Sequence, residues 1–381
     1  MKWSYRIARV SGIDIRVHLT FALIVAYFAH HFSLEHGGRG ALFGALLVCC
    51  LFVCVVLHEL GHSLVAQAVG VTVREIVLLP VGGVARLTRE PEHPWHELII
   101  ALAGPLVNVA IGAVLLVVAL LSFGSGWFLE GGLAEGLTRP SWGGLIGNLL
   151  LGNLMLAVFN MIPALPMDGG RVLRAGLAML MSRGRATSIA ATLAQVLSAG
   201  LIAYGMFRDP WLMLIGVFVF LGAAQERAAS EASALLVDLR AADVVNPSQV
   251  VLGPGDTLGG VVGLLLRTPQ THFPVVHGDH LLGVLSREHA LRALSKLGTD
   301  AYVAGSMQRD IAAVEATTTL DEVRRTILEK DGRPVVVRGP QGYLGLLSFE
   351  DVARVVRVAG RLEKSRLLRP TEPARGSSPV I

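Results

Sequence analysis

In the stretch VLHELGHSL, residues 56–64, two histidines four positions apart bracket a glutamate: His58, Glu59 and His62. Positions i and i+4 of an α-helix share one face, so both imidazoles can address a single ion while Glu59 lies beside them. Two histidines suit Zn2+, and a zinc used for catalysis takes a third protein ligand and leaves a fourth position for water. A carboxylate within hydrogen-bond reach of that water can take its proton and later deliver it to a leaving amine, which makes Glu59 a candidate general base.

The motif sits in the longest apolar run of the chain, between LLVCCLFVCV and VAQAVG. An ionisable group in hydrocarbon costs on the order of 3 kcal/mol or more unless it is paired, so metal binding competes with a simple helix-packing role and explains the cost better. For the third ligand, Cys54 lies one turn before His58 on the same face. Its companions Cys49 and Cys50 have no ligand spacing, which favours a packing role. The stronger candidate is Asp168 in FNMIPALPMDGGR, residues 159–171, where an apolar segment breaks at Pro163 and Pro166. Broken backbone at membrane depth is tolerated where protein or water covers it, as in a site wall. Asn160 in the same segment could donate to the oxyanion of a tetrahedral intermediate or serve as a bundle hydrogen bond. Asn108, in AGPLVN, has the same two readings, with packing preferred.

The elements that must position these groups follow from composition. The chain has 381 residues, 52% of them hydrophobic, a mean hydropathy of +0.58 and a formal charge of +4. That is too apolar for an ordinary soluble protein and reads as a membrane protein with a soluble part. Apolar segments near 18–33, 41–69, 97–122, 144–162, 187–207 and 210–226 give six predicted transmembrane helices. The last two are joined only by Arg208, Asp209 and Pro210, so a tight helical hairpin is expected. The basic first eighteen residues lack the apolar core of a secretory signal, and the N-terminus is expected to be retained. All three cysteines lie in one apolar run, which excludes a disulfide framework or a Cys-x-x-Cys zinc site. Without an aromatic-plus-basic cluster, no nucleic-acid partner is expected, and the positive charge suits an anionic lipid surface.

With a cytoplasmic N-terminus, eleven inside Lys and Arg (Lys2, Arg6, Arg9, Arg16, Arg74, Arg86, Arg89, Arg171, Arg174, Arg183, Arg185) face three outside (Arg39, Arg139, Arg208). Both termini are then cytoplasmic. His58 and His62 fall roughly 10–16 Å from the cytoplasmic end of the second helix, and Asp168 follows the end of the fourth. Both half-sites thus approach the same leaflet. Between helices two and three, VTVREIVLLPVGGVARLTR alternates like a β-hairpin broken at Pro80 to Gly83, either a connector or a substrate-contacting element.

Beyond about residue 230 the composition becomes that of a globular domain. THFPVVHGDHLLGVLSREHALRAL, from Thr271, is echoed by GRPVVVRGPQGYLGLLSFEDVARVV, from Gly332, each with an upstream helix pattern at Leu258 to Arg267 and Leu320 to Lys330. The expected division is 1–229, a transmembrane domain; 230–366, the repeat pair; and 367–381, a Pro- and Ser-rich disordered tail.

With HELGH in the second span and NMIPALPMDGGR after the fourth, residues 1–226 resemble the site-2 protease family of intramembrane zinc metalloproteases. AGPLVN and GIDIRVHLT add to the resemblance. It implies His58, His62 and Asp168 as ligands of one Zn2+, Glu59 as catalytic base, Asn160 as an oxyanion or substrate-orienting group, and a single-pass membrane protein as substrate. It also implies Gly82 and Gly83 as a sheet edge for an unwound substrate, in the manner of β-augmentation. The repeat at 238–362 is similar to a tandem CBS pair, which implies an adenine nucleotide (ATP, ADP or AMP) as regulatory ligand and a homodimer through the pair. In that family a Ser or Thr and an Asp three residues on contact the ribose; Ser348 and Asp351 match, whereas Ser286 is followed by His289. The implied fold is a polytopic α-helical membrane protein of the cell membrane, with a small β-hairpin region and a cytoplasmic α/β CBS pair. Two rival readings are a CBS-gated transporter or channel passing metal or protons through the intramembrane histidines, and a catalytically silent scaffold.

Overall fold

The computed structural model describes residues 3–367 apart from 80–81, 88–90, 92, 130–131, 247, 279, 331 and 341. The expected tail from residue 368 onward, Pro80 and Val81 of the expected hairpin turn, and Arg89 of the charge count lie outside the described residues. The chain divides into two compact units, Met1–Ala228 and Ala229–Ile381.

The first unit opens with strands β1 (Ser4–Val10) and β2 (Ile13–His18), followed by helix α1 (Phe21–Ala68). Strands β3 (Val73–Leu79) and β4 (Gly82–Leu87) form the expected hairpin, with Leu79 opposite Gly82 and Leu78 opposite Gly83. The four strands make one sheet in the order β1-β2-β3-β4; β2 and β3 pair in parallel and the other pairs are antiparallel. Alternation places Ile13 and Ile15 of IDIRVH and Ile76 and Leu78 of VREIVLL on the face that packs against Val48, Phe52 and Leu60 of α1, and a register irregularity between Val73 and Glu75 brings Val73 into the same cluster. Strand β4 is thereby left as the sheet edge beside the HELGH turn.

Helices α2 (Pro94–Phe123), α3 (Gly126–Leu129), α4 (Gly132–Thr138), α5 (Trp142–Asn160), α6 (Asp168–Ala178), α7 (Arg183–Arg208) and α8 (Pro210–Asp238) complete the first unit, α8 running past its boundary. Among the described residues five helices, α1, α2, α5, α7 and α8, are long and apolar enough to cross a membrane. The first two expected segments lie within the single 48-residue α1, which is interrupted at Gly37 with φ 59° and ψ −145°. Glycine tolerates that backbone, and the two arms fold back on each other: Phe21 stacks edge-on against Phe52 at 4.5 Å and Phe32 against Phe43 at 5.2 Å. The expected hairpin at Asp209 joins α7 and α8, with the Asp209 carboxylate accepting from Trp211 N at 2.9 Å.

The second unit repeats one motif. Helix α9 (Ala241–Val244) precedes α10 (Leu258–Arg267), β5 (His272–His277), β6 (His280–Ser286) and α11 (Arg287–Leu297). Then follow β7 (Ala313–Glu315), α12 (Leu320–Glu329), β8 (Val335–Gly339), β9 (Gly342–Leu347) and α13 (Phe349–Leu367). Each repeat has its own core, around Phe273 and Leu285 in the first and Val335 and Leu347 in the second; Val284, Val336 and Leu346 form a cluster joining the two sheets.

Candidate metal centre

Two helices bring the three candidate ligand side chains together. His58 and His62 lie one turn apart on the second arm of α1, and Asp168 opens α6. The α1–α2 crossing is close because both faces carry glycine. A Cβ at Gly61 would lie 2.8 Å from Val107 Cγ2 and 3.0 Å from Ala103 O. One at Gly104 would overlap His62 Nε2 and lie 2.7 Å from His58 Cε1. Small residues that let backbones approach in this way are the usual device of membrane helix pairs. Gly169 and Gly170 play the same part in α6: side chains there would overlap the backbone of residues 161–165, so the glycines let the first turn fold against the preceding loop and fix Asp168 at the helix start.

His58 Nε2 lies 3.0 Å from His62 Nε2, and Asp168 Oδ2 lies 3.2 Å from each. All three side chains are buried. Ligand atoms held at about 2.0–2.1 Å around a tetrahedral zinc are separated by about 3.3 Å, so this triangle fits Zn2+ and leaves one apex open. The far sides of the imidazoles are anchored from α2. His62 Nδ1–H donates to Ile100 O at 2.6 Å. The carboxamide of fully buried Asn108 lies 3.1 Å from His58 Nδ1, and in the orientation drawn its oxygen has no partner. Turning that oxygen to accept Nδ1–H gives the tautomer that a ligating Nε2 requires. Asn108, expected to be a packing residue, is therefore a neighbour of this candidate ligand group.

Cys54 is buried away from this triangle, and Asn153 donates to its sulfur at 3.3 Å. Among the described residues His58, His62 and Asp168 form the one group of His, Cys, Asp and Glu side chains arranged to hold a metal. A cavity of about 510 Å3 surrounds it, lined among others by Glu59, Gly83, Asn160 and Arg171. Strand β4 reaches Glu59 because Gly83 has no side chain; a Cβ there would sit 2.5 Å from Glu59 Cγ and 3.2 Å from Oε1. Gly82, its neighbour, lines the same cavity.

A second cluster of charge pins α6. Arg174 donates to Glu97 of α2 at 2.6 Å and to Glu226 of α8 at 3.1 Å, while Arg183 of α7 donates to Glu97 at 3.1 Å. These residues are distant in sequence, and no spacing signals their meeting.

In the second unit, Ser348 and Asp351 do meet. Ser348 Oγ donates to Asp351 Oδ2 at 2.6 Å and Ser348 N to the same oxygen at 3.0 Å, a capping arrangement at the start of α13. In the first repeat Ser286 Oγ accepts from His289 N at 3.2 Å and lies 2.9 Å from His289 Nδ1. The helix start is thus preserved there without the carboxylate.

Residues 46–142 match the model of peptidase family M50, and residues 241–296 and 302–358 each match the CBS domain. A zinc metalloprotease of Methanocaldococcus jannaschii is 33% identical over 359 residues, covering 94% of this chain and 97% of that protein. A candidate zinc metalloprotease of Synechocystis sp. is 27% identical over 381 residues, covering 94% and 97%. The solved structure of a site-2 protease from Methanocaldococcus jannaschii shares 38% identity, covers 59% of this chain and 95% of that chain, and superposes with a TM-score of 0.45.

Proposed function

The chain belongs to peptidase family M50, the site-2 protease family of zinc metalloproteases, with a tandem CBS pair, and from that premise we propose that it is an intramembrane endopeptidase. In this reading it hydrolyses a peptide bond in or near the transmembrane segment of a single-pass membrane protein. The observation that carries it is the triangle of His58 Nε2, His62 Nε2 and Asp168 Oδ2, with edges of 3.0–3.2 Å, in one cavity with Glu59.

His58, His62 and Asp168 would hold one Zn2+, which when bound would acidify water and polarise a carbonyl. Glu59 takes the proton of the attacking water and passes it to the leaving amine. Asn160, at the end of α5 on the cavity wall, orients the substrate or donates to its oxyanion. The substrate unwinds and pairs with the free edge of β4 at Gly82 and Gly83, where main-chain hydrogen bonds give affinity without strong sequence selection. Its reacting carbonyl is thereby laid over Glu59.

The Lys and Arg bias supports a cell-membrane protein with both termini cytoplasmic. The CBS pair dimerises and binds an adenine nucleotide, with Ser348 and Asp351 at the ribose. Cells carrying the wild type and Glu59→Gln are to be compared for membrane proteins that accumulate. An uncut single-pass protein accumulating in the variant is expected; identical membrane proteomes would refute the reading.

A further inference from the structure

Resting on the peptidase reading, we propose that Arg171 is a further catalytic residue, its guanidinium receiving the scissile carbonyl oxygen as that atom becomes an oxyanion. Arg171 follows Asp168 by three positions on α6, so the two side chains share a face of the helix, and Arg171 lines the cavity that holds His58, Glu59 and His62.

What sets this arginine apart is a buried Nε on a side chain without a partner. Its Nε is buried without a hydrogen bond. The Nε atoms of Arg16, Arg287 and Arg324 are unpaired too, but each of those side chains donates from its terminal nitrogens: to Glu75, to Thr268 O and to Asp321. Among the described residues the Arg171 side chain has no hydrogen bond or ion pair. The structural cations of the same bundle, Arg174 and Arg183, are held by Glu97. A guanidinium left unpaired beside a reaction centre is costly unless an anion arrives there.

The charge balance says which anion. With a divalent ion bound, the Glu59 and Asp168 carboxylates would be offset and the Arg171 charge would be in excess. During hydrolysis the water oxygen bonds to the carbonyl carbon, Glu59 takes the water proton, and the carbonyl electron pair moves onto its oxygen. Negative charge therefore leaves Glu59 and appears on the substrate oxygen, within the cavity that Arg171 lines. A fixed donor aimed at charge that develops only in the transition state raises kcat rather than substrate affinity.

Arg171→Gln and Arg171→Lys are to be assayed in detergent or liposomes for zinc content, kcat and KM, and inhibition by a phosphonamidate peptide that mimics the tetrahedral state. Binding of uncut substrate is read separately in the Glu59→Gln background. Arg171→Gln is expected to keep its zinc and its substrate affinity, to lose about 100- to 1,000-fold in kcat, and to bind the phosphonamidate weaker by a similar factor. Arg171→Lys should recover part of both losses. Lost zinc would make Arg171 a support for Asp168 and overturn the proposal, as would a loss confined to KM or an unchanged kcat. If the wild type cuts no peptide bond while holding zinc, the peptidase reading itself fails; an active wild type with an equally active Arg171→Gln defeats this proposal alone.

Discussion

Gly104→Ala tests whether the metal site depends on the close approach of α2 to the HELGH turn. The added methyl would overlap His62 Nε2 and stand 2.6 Å from His62 Cε1 and 2.7 Å from His58 Cε1, where ordinary contacts begin at 3.4 Å. Relief therefore requires a displacement of about 0.7 Å at His58 and more at His62, or of the helix by as much, in an interior that packs without slack. Metal–ligand distances tolerate only about 0.2 Å, so both ligands leave their positions together. Removing a single outer partner of a ligand costs about 10- to 100-fold in metal affinity, and displacing two ligands should cost at least about 100-fold. The assay is competition for zinc against a graded chelator on purified protein. Gly112→Ala, on the same helix with nothing within 4 Å of its new methyl, is the control and should bind zinc as the wild type does. Gly104→Ala with wild-type zinc affinity would refute the reasoning.

Three other outcomes follow from the contacts. Asn108→Ala removes the group at His58 Nδ1 and should lower zinc affinity about 10- to 100-fold without unfolding the protein, as read by the same competition. Glu97→Ala removes the buried carboxylate shared by Arg174 and Arg183 and should destabilise the first unit by about 3–5 kcal/mol, seen as a lower melting temperature in detergent. Asp351→Ala should abolish an adenine-nucleotide-induced rise in melting temperature, while loss of its cap at Ser348 costs only about 1 kcal/mol; nucleotide binding that persists would remove Asp351 from the site.

The meeting of His58, His62 and Asp168 was legible because its signal is local. The i, i+4 spacing of His58 and His62 defines a helix face, and the prolines before Asp168 announce a broken segment at membrane depth. The CBS repeats were legible for a similar reason, since each strand and helix is bounded by its own turn and capping residues. Contacts between distant segments leave no such spacing. Asn108, fifty positions from His58, looks like any polar residue in an apolar helix. Gly104 and Arg171 acquire meaning only once α2 and α6 are laid against α1. The first two apolar segments are separable in sequence, but the sharp turn between them at Gly37 and the pairing of the two arms through Phe21 with Phe52 and Phe32 with Phe43 are contacts between distant positions. The β1–β2 hairpin had a readable trace in the alternation of IDIRVH, which was overshadowed by the basic character of the first eighteen residues.

The most direct test of a zinc endopeptidase with Glu59 as its base is a single reconstitution: wild type and Glu59→Gln, matched for zinc content, in liposomes with a single-pass membrane protein, with fragments located by mass spectrometry. One cut in or near the transmembrane segment is expected from the wild type, with about 1,000-fold or greater loss in Glu59→Gln while zinc is retained. Equal cleavage by the two proteins would contradict it, as would a wild type that holds zinc and cuts nothing.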